Sequence, residues 1–185
     1  MAGHRRRRGR TTRPALTGSA PPSASPPPPT ACDADGVDVR SDRRYRFPVD
    51  PEALWAVLTR TEDYRGWWPW LRHLDGAELV PGTEWGCVVQ PPLPYVLRFT
   101  LRMVEVDAPR SVAAVVDGDL TGDARIDIAA TADGSELRLV SCLAPSNVVL
   151  RSVARLAAPV VRFGHDWVLD TGVRQFRARA LPPDR

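Results

Sequence analysis

The sequence predicts an α+β protein in which a curved antiparallel sheet of about seven strands wraps around a long C-terminal helix. Seven segments alternate apolar and polar residues, which is the period of a strand with one buried face. In residues 147–181, by contrast, charged and apolar residues recur every three or four positions, as in an amphipathic helix. The strand segments are joined by short turns rich in proline, glycine and aspartate, which favours antiparallel neighbours.

The first 36 residues are expected to form a disordered tail. They contain six of the 25 basic residues and two of the 22 acidic ones, and are otherwise rich in Pro, Ser, Thr and Ala. Such a composition cannot bury enough apolar surface to fold. An arm that contacts nucleic acid or anionic lipid is the alternative. The domain, residues 37–181, is nearly neutral, so we expect no nucleic-acid binding by it; residues 182–185 form a short tail.

Two short helices are expected after the first strand, residues 37–49. Asp50 is a favoured N-cap and Pro51 a favoured first-turn residue, and the apolar spacing runs to about Thr59. The second helix begins near Thr61 and ends before Pro69. The six later strand segments cover residues 72–80, 83–90, 94–107, 110–118, 122–132 and 135–144. Within them Arg98 and Arg102 alternate with apolar residues and should face solvent.

The last helix is expected to run from Asn147 to about Leu181, with a kink or break at Pro159. Two oppositely charged pairs four residues apart are expected on its polar face: Arg162–Asp166 and Asp170–Arg174. Its apolar arc is broad, so we expect it to pack deeply against the sheet. The arc comprises Leu150, Val153, Ala157, Val160, Val161, Gly164, Val168 and Gln175, widened by Val149, Leu156, Phe163 and Trp167.

A resemblance to a known superfamily rests on four stretches: residues 49–55 (VDPEALW), 61–70, 118–122 and 164–168 (GHDWV). With this order of elements, the chain resembles the START-like, or SRPBCC, superfamily, most nearly its polyketide cyclase/dehydrase and lipid-transport group. The resemblance covers roughly residues 40–180 and implies the helix-grip fold. It implies little about function, because such proteins include lipid carriers, ligand sensors and aromatase/cyclases. The group usually has a polar residue before the histidine, where this chain has Gly164.

A cavity is expected between the sheet and the helix, because a sheet bent around a cylinder of about 10 Å cannot fill all the space between them. Residues 67–70, Trp-Trp-Pro-Trp, either plug one end of the core or supply an aromatic wall. We expect eight residues to line a ligand site: Trp68, Trp70, Trp85, Tyr95, Phe99, Ser141, Val161 and His165.

Other polar candidates have simpler explanations. His73 is expected to be an exposed turn residue, Cys87 a core residue, and Asp166 a partner of Arg162 rather than of His165. We expect neither a metal nor a cofactor, since no ligand spacing surrounds the histidines. The three cysteines have no CxxC spacing and suggest no disulfide framework, and no apolar run could span a membrane. A cytoplasmic protein is therefore expected. The use of arginine with no lysine is typical of a GC-rich genome, so we expect a bacterial source.

Three functions remain open. The first is binding of an apolar small molecule of lipid, polyketide or isoprenoid type between helix and sheet. The second is a polyketide aromatase/cyclase or dehydratase that uses His165 and Ser141 as its polar groups. The third is a non-catalytic scaffold whose interior is filled by side chains. The oligomeric state and the identity of the ligand are left open.

Overall fold

The computed structural model describes residues 38–76, 78–147, 151–152 and 156–181. Seven antiparallel strands form one curled sheet in the order β1-β7-β6-β5-β4-β3-β2. Their bounds are β1 Val39–Phe47, β2 Leu71–Asp75, β3 Glu84–Val89, β4 Leu97–Asp107, β5 Ser111–Gly118, β6 Leu120–Thr131 and β7 Gly134–Pro145. Helices α1 Pro51–Leu58 and α2 Tyr64–Trp67 follow β1, and the long helix α3 is Ala158–Ala180. The predicted helix-grip fold class is confirmed.

The alternation of the strands decides which side chains face α3. In β4 the even-numbered Arg98, Thr100 and Arg102 are exposed, whereas Met103 is buried. The predicted exposure of both arginines is therefore confirmed. The turn between β6 and β7 requires a glycine, because Gly134 has φ +136° and a Cβ there would lie 2.2 Å from the Phe47 carbonyl oxygen.

An aromatic core closes the end of the sheet that is covered by α1 and the C-terminal half of α3. Phe47 and Trp67 each meet the Phe176 ring edge-on, at centroid separations of 5.7 and 5.3 Å. Leu54 is completely buried beside them. The helix α1 is held by the predicted N-cap, since the Ala53 N–H donates to Asp50 Oδ1 at 2.7 Å.

The long helix begins later than the sequence predicts. Arg151, Ser152 and Leu156 are helical, but Ala157 is a turn, and α3 starts at Ala158 with Pro159 in its first turn. The expected break near Pro159 is thus present, and the expected single helix from Asn147 is interrupted there. Proline fits this position because the first N–H groups of a helix have no partner inside it.

The expected burial of the apolar arc and both expected ion pairs of the C-terminal helical segment are wrong. Leu156 is 90% exposed, Phe163 54% and Val160 46%, because the sheet contacts only part of the broad apolar arc. Asp166 pairs with Arg43 of β1 rather than with Arg162: Arg43 Nη2 donates to Asp166 Oδ1 at 2.6 Å. The expected Asp170–Arg174 pair is wrong as well: Asp170 Oδ1 lies 3.7 Å from Arg43 Nη1, and Arg174 Nη2 donates to Thr171 Oγ1 at 3.0 Å. Both aspartates therefore tie α3 to the edge strand.

Some expectations fall outside the described residues. These are the disordered tail, residues 1–36, the short tail, residues 182–185, and the apolar positions Val149, Leu150 and Val153. Cys142 is disulfide-bonded, which corrects the expectation that no disulfide forms, while Cys87 is a buried free thiol. Within the described ranges, no helix has the length and apolarity needed to cross a membrane.

Candidate functional site

A cavity of about 320 Å³ lies between α3 and the concave face of the sheet. Its described lining contains no Asp, Glu, Lys or Arg side chain. The lining comprises Val39, Tyr64, Trp68, Trp70, Leu71, Leu74, Trp85, Cys87, Val89, Pro91, Tyr95, Leu97, Phe99, Leu101, Leu120, Ala124, Leu139, Ser141, Leu143, Pro145, Val161, Gly164, His165, Val168 and Leu169. The volume falls at the lower end of the roughly 300–1,000 Å³ typical of small-molecule sites.

The structure places all eight predicted wall residues on this one cavity. Tyr95 and Phe99 come from β4 and the connection before it, Ser141 from β7, and Val161 and His165 from the first half of α3. Strand alternation could also have identified Leu97, Leu101, Leu139 and Leu143, which share faces with the predicted residues. Tyr64, Pro91 and Pro145 were missed because they lie outside the predicted strands, where no period indicates direction.

The Trp-Trp-Pro-Trp stretch serves both of the purposes considered from the sequence. Trp67 is buried in the aromatic core, whereas Trp68 and Trp70 line the cavity. Trp68 Nε1 donates to the Gly172 carbonyl at 2.8 Å, and Trp70 Nε1 donates to Gln175 Oε1 at 3.0 Å. Both indoles are therefore fastened to α3 by their polar edges while their rings face the cavity.

Two buried polar side-chain atoms of the lining have no hydrogen-bond partner among the described residues. These are Ser141 Oγ and His165 Nε2, and both are buried. Ser141 stands opposite Ser41 of β1 in the strand register, and the buried Ser41 hydroxyl likewise meets no partner within the described ranges. Buried polar atoms in native proteins nearly always have a partner, so a ligand group or ordered water would be expected at such atoms.

Burial sets the protonation states at the site. Desolvation lowers the pKa of His165, the nearby Asp166 opposes this, and Arg43 adds to it. The imidazole is therefore neutral at pH 7 and can either donate or accept a hydrogen bond at Nε2. Burial raises the pKa of the Cys87 thiol to about 12, so this cysteine is not a nucleophile at neutral pH.

Gly164 gives room for the connection between β3 and β4. A Cβ at Gly164 would lie 2.8 Å from the Tyr95 hydroxyl oxygen and 2.8 Å from Leu93 Cδ1. Gly164 is therefore the point where the Tyr95 hydroxyl approaches α3. The neighbouring Gly172 is less constrained, since its closest contact would be Trp70 Cζ2 at 3.4 Å.

The remaining candidates lie away from the cavity. His73 is exposed, as expected, but it lies within β2 and not in a turn. Asp166 is ion-paired to Arg43, so it does not complete a dyad with His165. Among the residues that the structure describes, no group of three or more His, Cys, Asp or Glu side chains could hold a metal ion.

The sequence matches no protein-family model and no curated protein. Its structure does have solved relatives. The protein TTHA0849 from Thermus thermophilus superimposes with a TM-score of 0.59 at 15% identity, covering 80% of this chain and 99% of that one. The AHSA1-like protein from Aeromonas hydrophila gives a TM-score of 0.52 at 15% identity, covering 80% of this chain and 98% of that one.

A further solved relative is the di-domain ARO/CYC BexL from the BE-7585A biosynthetic pathway. It gives a TM-score of 0.63 at 12% identity, covering 80% of this chain and 52% of that one. The chain has the helix-grip fold. At these identities the likeness concerns the fold alone, so the function of this helix-grip domain follows from its own cavity.

Proposed function

We propose that this START-like domain binds an apolar small molecule of lipid, polyketide or isoprenoid type in the cavity between α3 and the sheet. The observation that carries the proposal is a cavity of about 320 Å³ whose lining is almost entirely carbon and contains no charged side chain among the described residues. Each Å² of apolar ligand surface removed from water there would contribute roughly 25 cal/mol before the costs of association.

The cavity also counts against the scaffold hypothesis. A scaffold with a filled interior has no use for an apolar void, since empty space costs dispersion contacts and stability. The wall indoles Trp68 and Trp70 have their N–H groups bonded to α3, so they are not free to rotate inward and fill the space. A site that is largely formed before the ligand arrives is typical of small-molecule binding.

The test is native mass spectrometry of the full chain as purified, followed by organic extraction of any bound molecule. Wild-type protein is expected to carry a small organic ligand or to take up an added neutral probe, N-phenyl-1-naphthylamine. Ala124→Phe, which puts a phenyl ring into the cavity, is expected to abolish uptake. Ala129→Phe is the matched control, because Ala129 lies on the exposed side of the same strand. Equal uptake by both variants would contradict the proposed site.

A catalytic function, as an aromatase/cyclase or dehydratase, is the second candidate. It is favoured by a neutral His165 and a Ser141 hydroxyl on one apolar cavity, neither of which has a partner among the described residues. A histidine with a pKa near or below neutrality can move a proton within a bound poly-β-ketone, and the serine can hold a carbonyl oxygen. The fold of BexL, named as an ARO/CYC, is consistent with such chemistry.

One variant, His165→Ala, distinguishes ligand binding from catalysis. If the protein is an enzyme, His165→Ala should keep most of its ligand affinity and lose turnover of a poly-β-ketone substrate by about 10²–10⁴-fold. If it is a carrier, wild type and variant alike should leave the bound molecule chemically unchanged. Product analysis by mass spectrometry after incubation distinguishes these results.

A further inference from the structure

The polar groups of the cavity lining restrict the chemical class of the ligand, provided that the binding function proposed above holds. Four side chains of its described lining donate their polar hydrogen to a protein oxygen. Trp68 and Trp70 donate to α3, Trp85 Nε1 donates to the Glu78 carbonyl at 3.1 Å, and the Tyr64 hydroxyl donates to the Leu58 carbonyl. Tyr95 is only half-buried, and its hydroxyl makes no hydrogen bond to a described residue, so it is a further, less buried polar group on the wall.

Two fully buried side-chain atoms of the described lining have no partner, Ser141 Oγ and His165 Nε2. A serine hydroxyl can both donate and accept, and a neutral imidazole nitrogen does one or the other according to its tautomer. Together they match a hydroxyl or a carbonyl oxygen. A pure hydrocarbon would leave both atoms without a partner, which costs free energy in a buried site.

The charges around the site disfavour an anionic ligand. The described lining has no cationic side chain. Arg43, the cation that acts on His165, is already held by Asp166 at 2.6 Å and by Asp170 at 3.7 Å. An ionised carboxylate placed in this cavity would be buried without a counter-charge, which is far more costly than burying a neutral oxygen.

We propose that the ligand is uncharged and carries a hydroxyl or carbonyl oxygen that hydrogen-bonds to Ser141 and His165, while the rest of the molecule is apolar. On this proposal, ionised fatty acids and phospholipid headgroups are excluded from the cavity. Neutral alcohols, ketones and quinone-like molecules are the class that fits.

The experiment uses three molecules with one ring system: naphthalene, 2-naphthol and 2-naphthoate. Their affinities are measured at pH 7.5, where naphthol is neutral and naphthoate ionised, by displacement of N-phenyl-1-naphthylamine from the full-length protein. The proposal expects 2-naphthol to bind about tenfold more tightly than naphthalene, from the hydrogen bonds gained. Naphthoate is expected to bind at least about tenfold more weakly than naphthalene, from unpaired charge burial.

Variants then assign the selectivity to the two side chains. Ser141→Ala and His165→Leu should each reduce the preference for naphthol over naphthalene to about threefold or less. Ser135→Ala is the matched control, because Ser135 is on the same strand, is completely buried and also has a hydroxyl without a partner in the described ranges, yet does not line the cavity. The preference of Ser135→Ala for naphthol over naphthalene should equal that of wild type, even if the variant is less stable.

The outcomes separate this inference from the function on which it rests. Naphthoate that binds as tightly as naphthol, or a naphthol preference that survives both variants, overturns the ligand class and leaves apolar binding intact. Failure of the probe and of all three molecules to bind contradicts the proposed function itself.

Discussion

Replacing Gly164 by alanine should narrow the cavity without unfolding the domain. The added Cβ would sit 2.8 Å from both the Tyr95 hydroxyl oxygen and Leu93 Cδ1, so these atoms must move by several tenths of an ångström. Both are the ends of half-buried side chains on a connection between strands, so the overpacking cost should be near the low end of the usual range, about 1 kcal/mol. Alanine in the helix interior stabilises the folded state by about 1 kcal/mol relative to glycine.

The net change in unfolding free energy should therefore lie close to zero. Gly172→Ala is the matched control on the same helix, because its closest new contact is an ordinary 3.4 Å. This control should keep most of the stabilisation that alanine gives a helix, so its midpoint of thermal unfolding should be about 2–4 °C higher than that of Gly164→Ala. Thermal unfolding gives the stabilities, and displacement of N-phenyl-1-naphthylamine gives the affinities. We expect weaker probe binding for Gly164→Ala alone; unchanged binding in that variant would refute the assignment of Gly164 and Tyr95 to the cavity wall.

Three further results are expected from the core, the ion pair and the buried histidine. Leu54→Ala should destabilise the domain by about 2–5 kcal/mol in urea unfolding, because this side chain is completely buried. Arg43 and Asp166 should show a coupling energy of only about 0.2–1 kcal/mol in a double-mutant cycle, lost at high salt, because both side chains are more than one-third exposed. Because burial holds the pKa of His165 below its unfolded value near 6.5, the unfolded chain binds a proton first as the pH falls below 6.5. Wild type should therefore lose stability relative to His165→Asn from pH 7 to pH 5, by at most about 1.4 kcal/mol per pH unit; parallel curves would contradict the burial of a neutral imidazole.

Much of the fold could be predicted because strand alternation and turn chemistry are local. The inward row that includes Phe99 and the outward Arg98 and Arg102 follow from period two alone, and the observed burial in β4 agrees with it. The same rule put Ser141 on the concave face of the sheet. The wall residues of the strands were thus predictable without knowing which strands neighbour each other.

The α3 helix shows where local patterns fail. Helical spacing puts Asp166 within reach of Arg162, but Arg43, 123 residues away in sequence, forms the tertiary pair. Likewise a broad apolar arc does not reveal which part of it the sheet will contact, so the exposure of Leu156 and Phe163 could not be read from periodicity. Both errors concern a partner that only the folded sheet supplies.

The selectivity of the cavity depends on the tryptophans as much as on the two polar atoms left for a ligand. Had the indole N–H groups of Trp68, Trp70 and Trp85 pointed into the cavity, any anion or polar chain could have found donors there. Instead each N–H is bonded to a protein oxygen at 2.8–3.1 Å, so these side chains present carbon to a ligand. The hydrogen bonds that hold the walls in position therefore also remove competing polar sites, and leave Ser141 and His165 to fix the orientation of whatever binds.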